Sequence, residues 1–296
     1  MRIQVGNMLL PNLVSRRRST LSHNVNAQAG MFFVVLMLVG LSASFAQQKP
    51  TVSLKLLANG QRTVVGQPIV AILQLTSATR VVIDLGGNHI GNLSFSVTDT
   101  MGRKSEVKLP LPDFTGPGRV NLSPEIPYTQ AINLSSALRV DTPGLYQIQV
   151  SLPAASNPDI EVAVGSPMDI QIGPSDDKQL LIVCKALSGR IENASSASER
   201  LEAAGELASI HNPVAVPSMR ALLGGGLGID SLLINSLAEI GTSDAIDALQ
   251  IPLTGSDPDV ALLGRSALLR IKSSTKDELL RMRAEKALQL QGPASP

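Results

Sequence analysis

Cysteine is nearly absent: Cys184 is the only one in 296 residues. An intramolecular disulfide and a cysteine-based metal cluster are therefore excluded. The thiol follows the apolar run Leu180-Leu181-Ile182-Val183, which points to a buried, inert group. Aromatic residues make up 2% of the chain, and tryptophan is missing. Phe32, Phe33 and Phe45 lie in an N-terminal apolar segment, so the body holds only Phe95, Phe114, Tyr128 and Tyr146. Its cores must be aliphatic, and the aromatic platforms that sugar sites use are scarce. Histidine is scarce as well, with His89 and His211 far apart in the body. Without a His-x-x-x-His or His/Cys cluster, no transition-metal site is expected. A Gly-x-Ser-x-Gly elbow, a P-loop and a dinucleotide fingerprint are all missing, so neither a catalytic residue nor a cofactor is expected. Gly224-Gly225-Gly226-Leu227-Gly228 joins two helical segments and follows no strand, so it reads as a connection and not as a phosphate cradle.

The formal charge of +1 hides an asymmetry. Residues 1–46 carry Arg2, Arg16, Arg17 and Arg18 and no acid. The 25 basic residues less these four leave 21 against 24 acidic ones, a net of −3 for the rest of the chain. A weakly acidic body without a basic stripe argues against a nucleic-acid partner. It also argues against electrostatic docking on an anionic membrane, which leaves the N-terminal segment as the one membrane contact expected. In that segment the arginines precede the apolar stretch Met31 to Leu41, and Ser44-Phe45-Ala46 places small residues before a cut at Gln47. These are the parts of a secretory signal, so residues 1–46 read as a signal segment and the protein as exported, periplasmic or secreted. An uncleaved anchor is the alternative, although the apolar stretch is short for a spanning helix of about 20 residues.

From Thr51 the pattern becomes short alternating runs between turn residues. Val52, Leu54 and Leu56 form one such run, Ile69 to Leu75 another, and Leu93, Phe95 and Val97 a third. Asn59-Gly60 and Gly86-Gly87-Asn88 supply turns. About eight short strands with frequent turns predict an antiparallel sandwich over residues 51–173. Asp141-Thr142-Pro143-Gly144-Leu145-Tyr146 leads into a late strand, and Tyr146 is placed to bond back across its own turn. Val65-Gly66-Gln67-Pro68-Ile69-Val70 together with Pro143-Gly144-Leu145-Tyr146 resembles bacterial immunoglobulin-like modules. That resemblance implies an all-β immunoglobulin-like sandwich, without the disulfide and core tryptophan of antibody domains.

Residues 177–290 change to helical spacing with internal similarity. Ala204 to Ile210 recurs as Ile234 to Ile240 and as Arg265 to Ile271, with Leu207, Leu237 and Leu268 separated by 30 and 31 residues. Ala215, Val216, Met219 and Leu223 match Ala245, Ile246, Leu249 and Leu253. Ser196 and Glu199 fit a capping box, and capping residues are expected in the turns at residues 211–213, 241–244 and 272–274. Together with Asn212-Pro213-Val214-Ala215-Val216-Pro217, this pattern resembles short HEAT-like repeats of the phycobilisome-lyase type, which implies an all-α repeat array. Residues 291–296 read as a disordered tail.

These expectations make the chain a multidomain, non-catalytic scaffold that binds an unidentified protein partner through a helical-repeat surface. Arg220, Asp247, Gln250 and Arg281 are its candidate outward polar positions. A cell-surface or carbohydrate-binding adhesion module acting through the β-sandwich is the alternative.

Overall fold

The computed structural model describes residues 49–58, 63–109 and 118–289. The expected signal segment, with its cut before Gln47, and the tail 291–296 lie outside them. The described residues form one compact unit. It contains two aliphatic cores, one between the sheets and one among the helices.

The strands are β1 (Thr51–Ala58), β2 (Thr63–Val64), β3 (Val70–Ser77), β4 (Val81–Asp84), β5 (Ser94–Thr98), β6 (Lys104–Val107), β7 (Arg119–Leu122), β8 (Tyr128–Asn133), β9 (Gly144–Ser151), β10 (Glu161–Val164) and β11 (Met168–Gly173). Their sequences alternate because a strand turns successive side chains to opposite faces. In β3 this buries Ala71, Leu73, Leu75 and Ser77, and in β1 Val52, Leu54 and Leu56. The antiparallel register sets Leu54 opposite Leu75 and Leu56 opposite Leu73, so both strands fill one core. A slip of one residue would turn every one of these side chains to the outer face. Tyr146 does bond back across its turn: its hydroxyl donates to the Thr142 carbonyl at 2.9 Å.

One sheet runs β10-β1-β3-β8, a second β2-β11-β9-β5-β6, and β4 and β7 form a separate ribbon. Two pairings are parallel, β1 with β10 and β2 with β11. The sheets are therefore mixed, which overturns the expected all-β immunoglobulin-like sandwich. After β9 the chain does not fold back on its neighbour. It crosses through the short turn Ala154–Ser156 and lays β10 along β1, with the Glu161 amide bonded to the Pro50 carbonyl at 3.0 Å. Alternation in a sequence marks strands, but not which strand becomes a neighbour or in which direction it runs.

The helices are α1 (Asp177–Glu192), α2 (Ala197–Ala208), α3 (Val216–Leu222), α4 (Asp230–Ile240), α5 (Ser243–Ala248), α6 (Gln250–Thr254), α7 (Pro258–Ser274) and α8 (Glu278–Leu288). Side-chain caps open most of them. The Asp176 carboxylate accepts from the Lys178 and Gln179 amides, and Asp257 and Asp277 do the same for α7 and α8. Ser196 caps α2, while the Glu199 carboxylate reaches back to the Ser195 amide at 2.9 Å. These contacts satisfy amides that the first helical turn leaves without a partner. At the expected turns 211–213 and 241–244 the caps are Asn212 and Thr242, whereas residues 272–274, expected as a third turn, lie inside α7 and Asp277 caps the helix that follows.

Leu207, Leu237 and Leu268 are all fully buried, in α2, α4 and α7. The units around them are not equivalent. A 3-10 turn (Pro213–Ala215) and the short α3 follow α2. After α4 come two short helices that break at Leu249, and after α7 comes one continuous helix. Ile210 and Ile271 are buried, but Ile240 is half-buried at the end of α4, where Gly241 adopts φ 62°. The expected all-α HEAT-like array is thus corrected to irregular helix pairs joined to the sheets in a mixed α/β unit. Similar apolar spacing fixed the buried faces of the first helices. Proline at 217 and 252 and short polar connections reshaped the second elements. Among the described residues, no helix is long and apolar enough to cross a membrane.

Candidate functional site

Strand β8 ends its sheet: it pairs with β3, and no other described strand pairs with it. The Leu134 amide bonds to the Ile69 carbonyl at 2.8 Å, which makes that pair a hydrogen-bonded one. Antiparallel pairs alternate, so the backbones of Ile132, Gln130 and Tyr128 bond to β3. The backbone groups of Thr129 and Ala131 then point away from the sheet, and both residues are exposed. Beside this edge run α2 and α4. Between them lies a cleft of about 790 Å³, within the usual size range of ligand sites.

Each wall of the cleft has a local cause. Helix α2 turns Leu201, Glu202 and Gly205 toward it, and α4 contributes Leu232, Ser236 and Glu239. The Asn133 side-chain amide donates to the Gly205 carbonyl at 3.2 Å and ties the strand to α2. A Cβ added at Gly205 would meet nothing within 4 Å, so the helix leaves open space there. The Ser236 hydroxyl is buried without a partner among the described residues. The third wall is the turn after β4. Gly86 has φ 76°, and Asn88 and His89 adopt left-handed φ of 54° and 58°. For residues with a side chain this is a costly conformation. The Gln130 side-chain amide donates to the Asn88 carbonyl at 3.3 Å and helps to hold the turn against β8. The His89 ring lies 6.0 Å from that of Tyr128, whose phenol burial pushes up above its ordinary value.

A charged cluster stands where this cleft meets a smaller one of about 260 Å³; Arg139 and His211 line both. The Glu239 carboxylate pairs with the Arg139 guanidinium and lies 3.0 Å from His211 Nε2. The two contacts join the segment after β8, the turn after α2 and helix α4. Burial holds the His211 imidazole below its ordinary value. The charge of Arg139 adds to that effect, and Glu239 and Asp141 oppose it. The folded protein therefore takes up this proton less readily than the unfolded chain. Lowering the pH through 6.5 should weaken the fold through His211. Glu206, which burial pushes up, acts in the opposite sense. The clean measurement is thus the melting temperature of the wild type against His211→Gln at two pH values on either side of 6.5. The wild type should lose more than the variant on acidification; equal losses would count against the assignment.

The geometry offers little acid–base chemistry. Glu239 is held between a guanidinium and an imidazole. The Ser209 hydroxyl donates to the Glu206 carbonyl at 2.7 Å, and the Ser135 hydroxyl accepts the Ile69 amide at 2.6 Å. Among the described residues, no group of three or more His, Cys, Asp or Glu could hold a metal ion. The glycine-rich turn at 224–228 is already engaged: the buried Asp230 carboxylate accepts the Gly224 amide at 2.7 Å. An acid in that position disfavours a bound phosphate. Cys184 is fully buried, and burial pushes its thiol up to about 11.

The outward polar positions named from the sequence do not line the cleft. Asp247 is paired with Arg283 and accepts from Gln250, Arg281 is paired with Glu278, and Arg220 is exposed elsewhere. Of the cleft residues, Asn88 and His211 stood out in the sequence as turn residues. The usable signal was the pair Asn88-His89 inside Gly86-Gly87-Asn88-His89-Ile90-Gly91, a segment that demands unusual backbone angles.

No family model matches the chain, those of immunoglobulin-like and HEAT-like proteins included, and no curated protein matches it. Among solved structures it is similar to a β-1,2-glucanase from Parabacteroides distasonis. The identity is 12%, the match covers 81% of this chain and 34% of that one, and the TM-score is 0.21. The chain spans about a third of the length of that glucanase.

Proposed function

We propose that this chain is an exported, non-catalytic protein-binding module that takes its partner in the cleft between β8 and helices α2 and α4. The observation that carries the reading is the outward backbone of Thr129 and Ala131 beside an open cleft. Leu201, Leu232 and Ile90 add apolar contact to that wall. Export to the periplasm or the outside of the cell is supported by the Met31 to Leu41 stretch and the small residues of Ser44-Phe45-Ala46, the parts of a secretory signal. The acidic body favours a protein partner over nucleic acid. A sugar ligand is disfavoured, because no Phe, Tyr or Trp is among the described residues lining the cleft.

The test is site-specific cross-linking in the full chain. A photoreactive side chain at Leu201 should capture a defined partner from an envelope extract, and the same group at Arg220 should not. Gly205→Phe fills the cleft from a position with open space, and it should abolish the capture. A partner captured equally well by the Gly205→Phe protein would overturn the reading.

A further inference from the structure

We infer that the partner enters this cleft as an extended segment that adds a strand to β8 and carries a basic side chain toward Glu202. The inference rests on the proposed binding role of the cleft and names the mode of binding. Every other residue of β8 spends its backbone on β3, which leaves the amide and carbonyl groups of Thr129 and Ala131 directed away from the sheet, and Ala131 lines the cleft. Groups in that arrangement are a template for another extended chain, since a neighbouring strand fits them at about 4.8 Å. A helix satisfies its own backbone and has nothing to offer these groups.

The surroundings suit a strand. The opposite wall is α2, where Gly205 lacks a side chain and Leu201 is exposed, so an added chain meets a gap flanked by an apolar contact. Natural edge strands are commonly shielded by an inward charge, a proline or a bulge. The exposed residues of β8 are Thr129 and Ala131, neither of which discourages pairing. The turn bearing Asn88 and His89 keeps strained backbone angles at one side of the cleft, as is common where a fold holds a binding surface. Among the described residues the lining carries Glu202 and Glu239 against the guanidinium of Arg139, and Glu202 stands exposed on α2. This excess of acid selects for a basic group on the incoming segment.

The probe is a displayed library of random linear peptides, panned on the full chain. Enriched peptides should contain Lys or Arg and should compete with one another. They are then remade with single backbone N-methyl groups at successive positions. A strand added at an edge uses every second residue for pairing. N-methylation should therefore weaken binding at alternate positions, by up to about tenfold where the replaced N–H donates to β8, and little at the positions between. Ala131→Pro removes an outward donor without touching the ladder to β3, and it should weaken the same peptides to a similar degree. Because the N-methyl series alters only the peptide, it remains decisive if that variant fails to fold. Binding that Gly205→Phe abolishes, but that shows no alternation along the N-methyl series, would overturn strand addition and leave the cleft reading standing. If no peptide is enriched, or Gly205→Phe binds as well as the wild type, the cleft reading falls and strand addition falls with it.

Discussion

Truncating Leu237 to Ala should destabilise the protein by about 2–5 kcal/mol, the range for a fully buried leucine. Leu237 sits in α4, which packs against α2 on one side and α7 on the other. The side chain therefore has helices around it, and the void left by truncation has no free surface into which to collapse. Part of the cost is lost burial, and part is the contacts forfeited around the cavity. Leu207 and Leu268 occupy the corresponding positions in α2 and α7 and are equally buried. Urea unfolding of the wild type and Leu237→Ala, followed by circular dichroism, gives the difference directly if the slopes agree. A loss below about 0.5 kcal/mol, the size of a surface change, would mean that α4 is not the centre of the helical core.

Gly86→Ala should be comparably damaging, by about 3 kcal/mol or more, for two independent reasons. Gly86 has φ 76° and ψ 179°, a region essentially closed to residues with a side chain. An added Cβ would also stand 2.5 Å from the Asn92 amide nitrogen, a backbone atom that cannot swing aside. That amide donates to the Leu85 carbonyl at 2.8 Å and closes the turn, so relief of the clash breaks the bond. Gly102→Ala is the control. Gly102 has φ 77°, yet a Cβ there would meet nothing within 4 Å, so only the conformational cost of about 1–2 kcal/mol applies. Thermal or urea unfolding of the two variants separates strain from collision. Equal losses would show that the close approach to Asn92 relaxes at no cost.

The sequence revealed the buried faces better than the architecture. Alternation located Val52, Leu54 and Leu56 and the β3 residues, because one-sided burial with a period of two leaves a direct trace. The spacing of 30 and 31 residues located Leu207, Leu237 and Leu268 for the same kind of reason. Strand order left no such trace. The parallel pairing of Thr51 with Glu161 joins residues 110 apart, and nothing in either run encodes its neighbour. The second helices were over-read: Ala215 and Ala245 are both buried, but Pro217 and Pro252 help to shape different backbones around them.

The cleft was the least legible feature. It is made of residues that are ordinary singly: an alanine and a threonine on an edge, a glycine in a helix, a serine in the next. It exists because a strand edge and two helices meet, which is a tertiary event. The cap expected within residues 241–244 shows the same limit on a small scale. Thr242 makes the contact, accepting the Ala245 amide, and Ser243 is already inside α5. Helix termini shift by a residue or two without changing the pattern that announces them.

The central claim is that the β8 edge is open in the free protein and available to a partner. Residue-resolved amide hydrogen exchange on the full chain tests it most directly. The expected result is fast exchange at Thr129 and Ala131 and slow exchange at Gln130 and Ile132, an alternation along a single strand. Slow exchange at all four positions in the free protein would show that the edge is already covered, and it would contradict the claim.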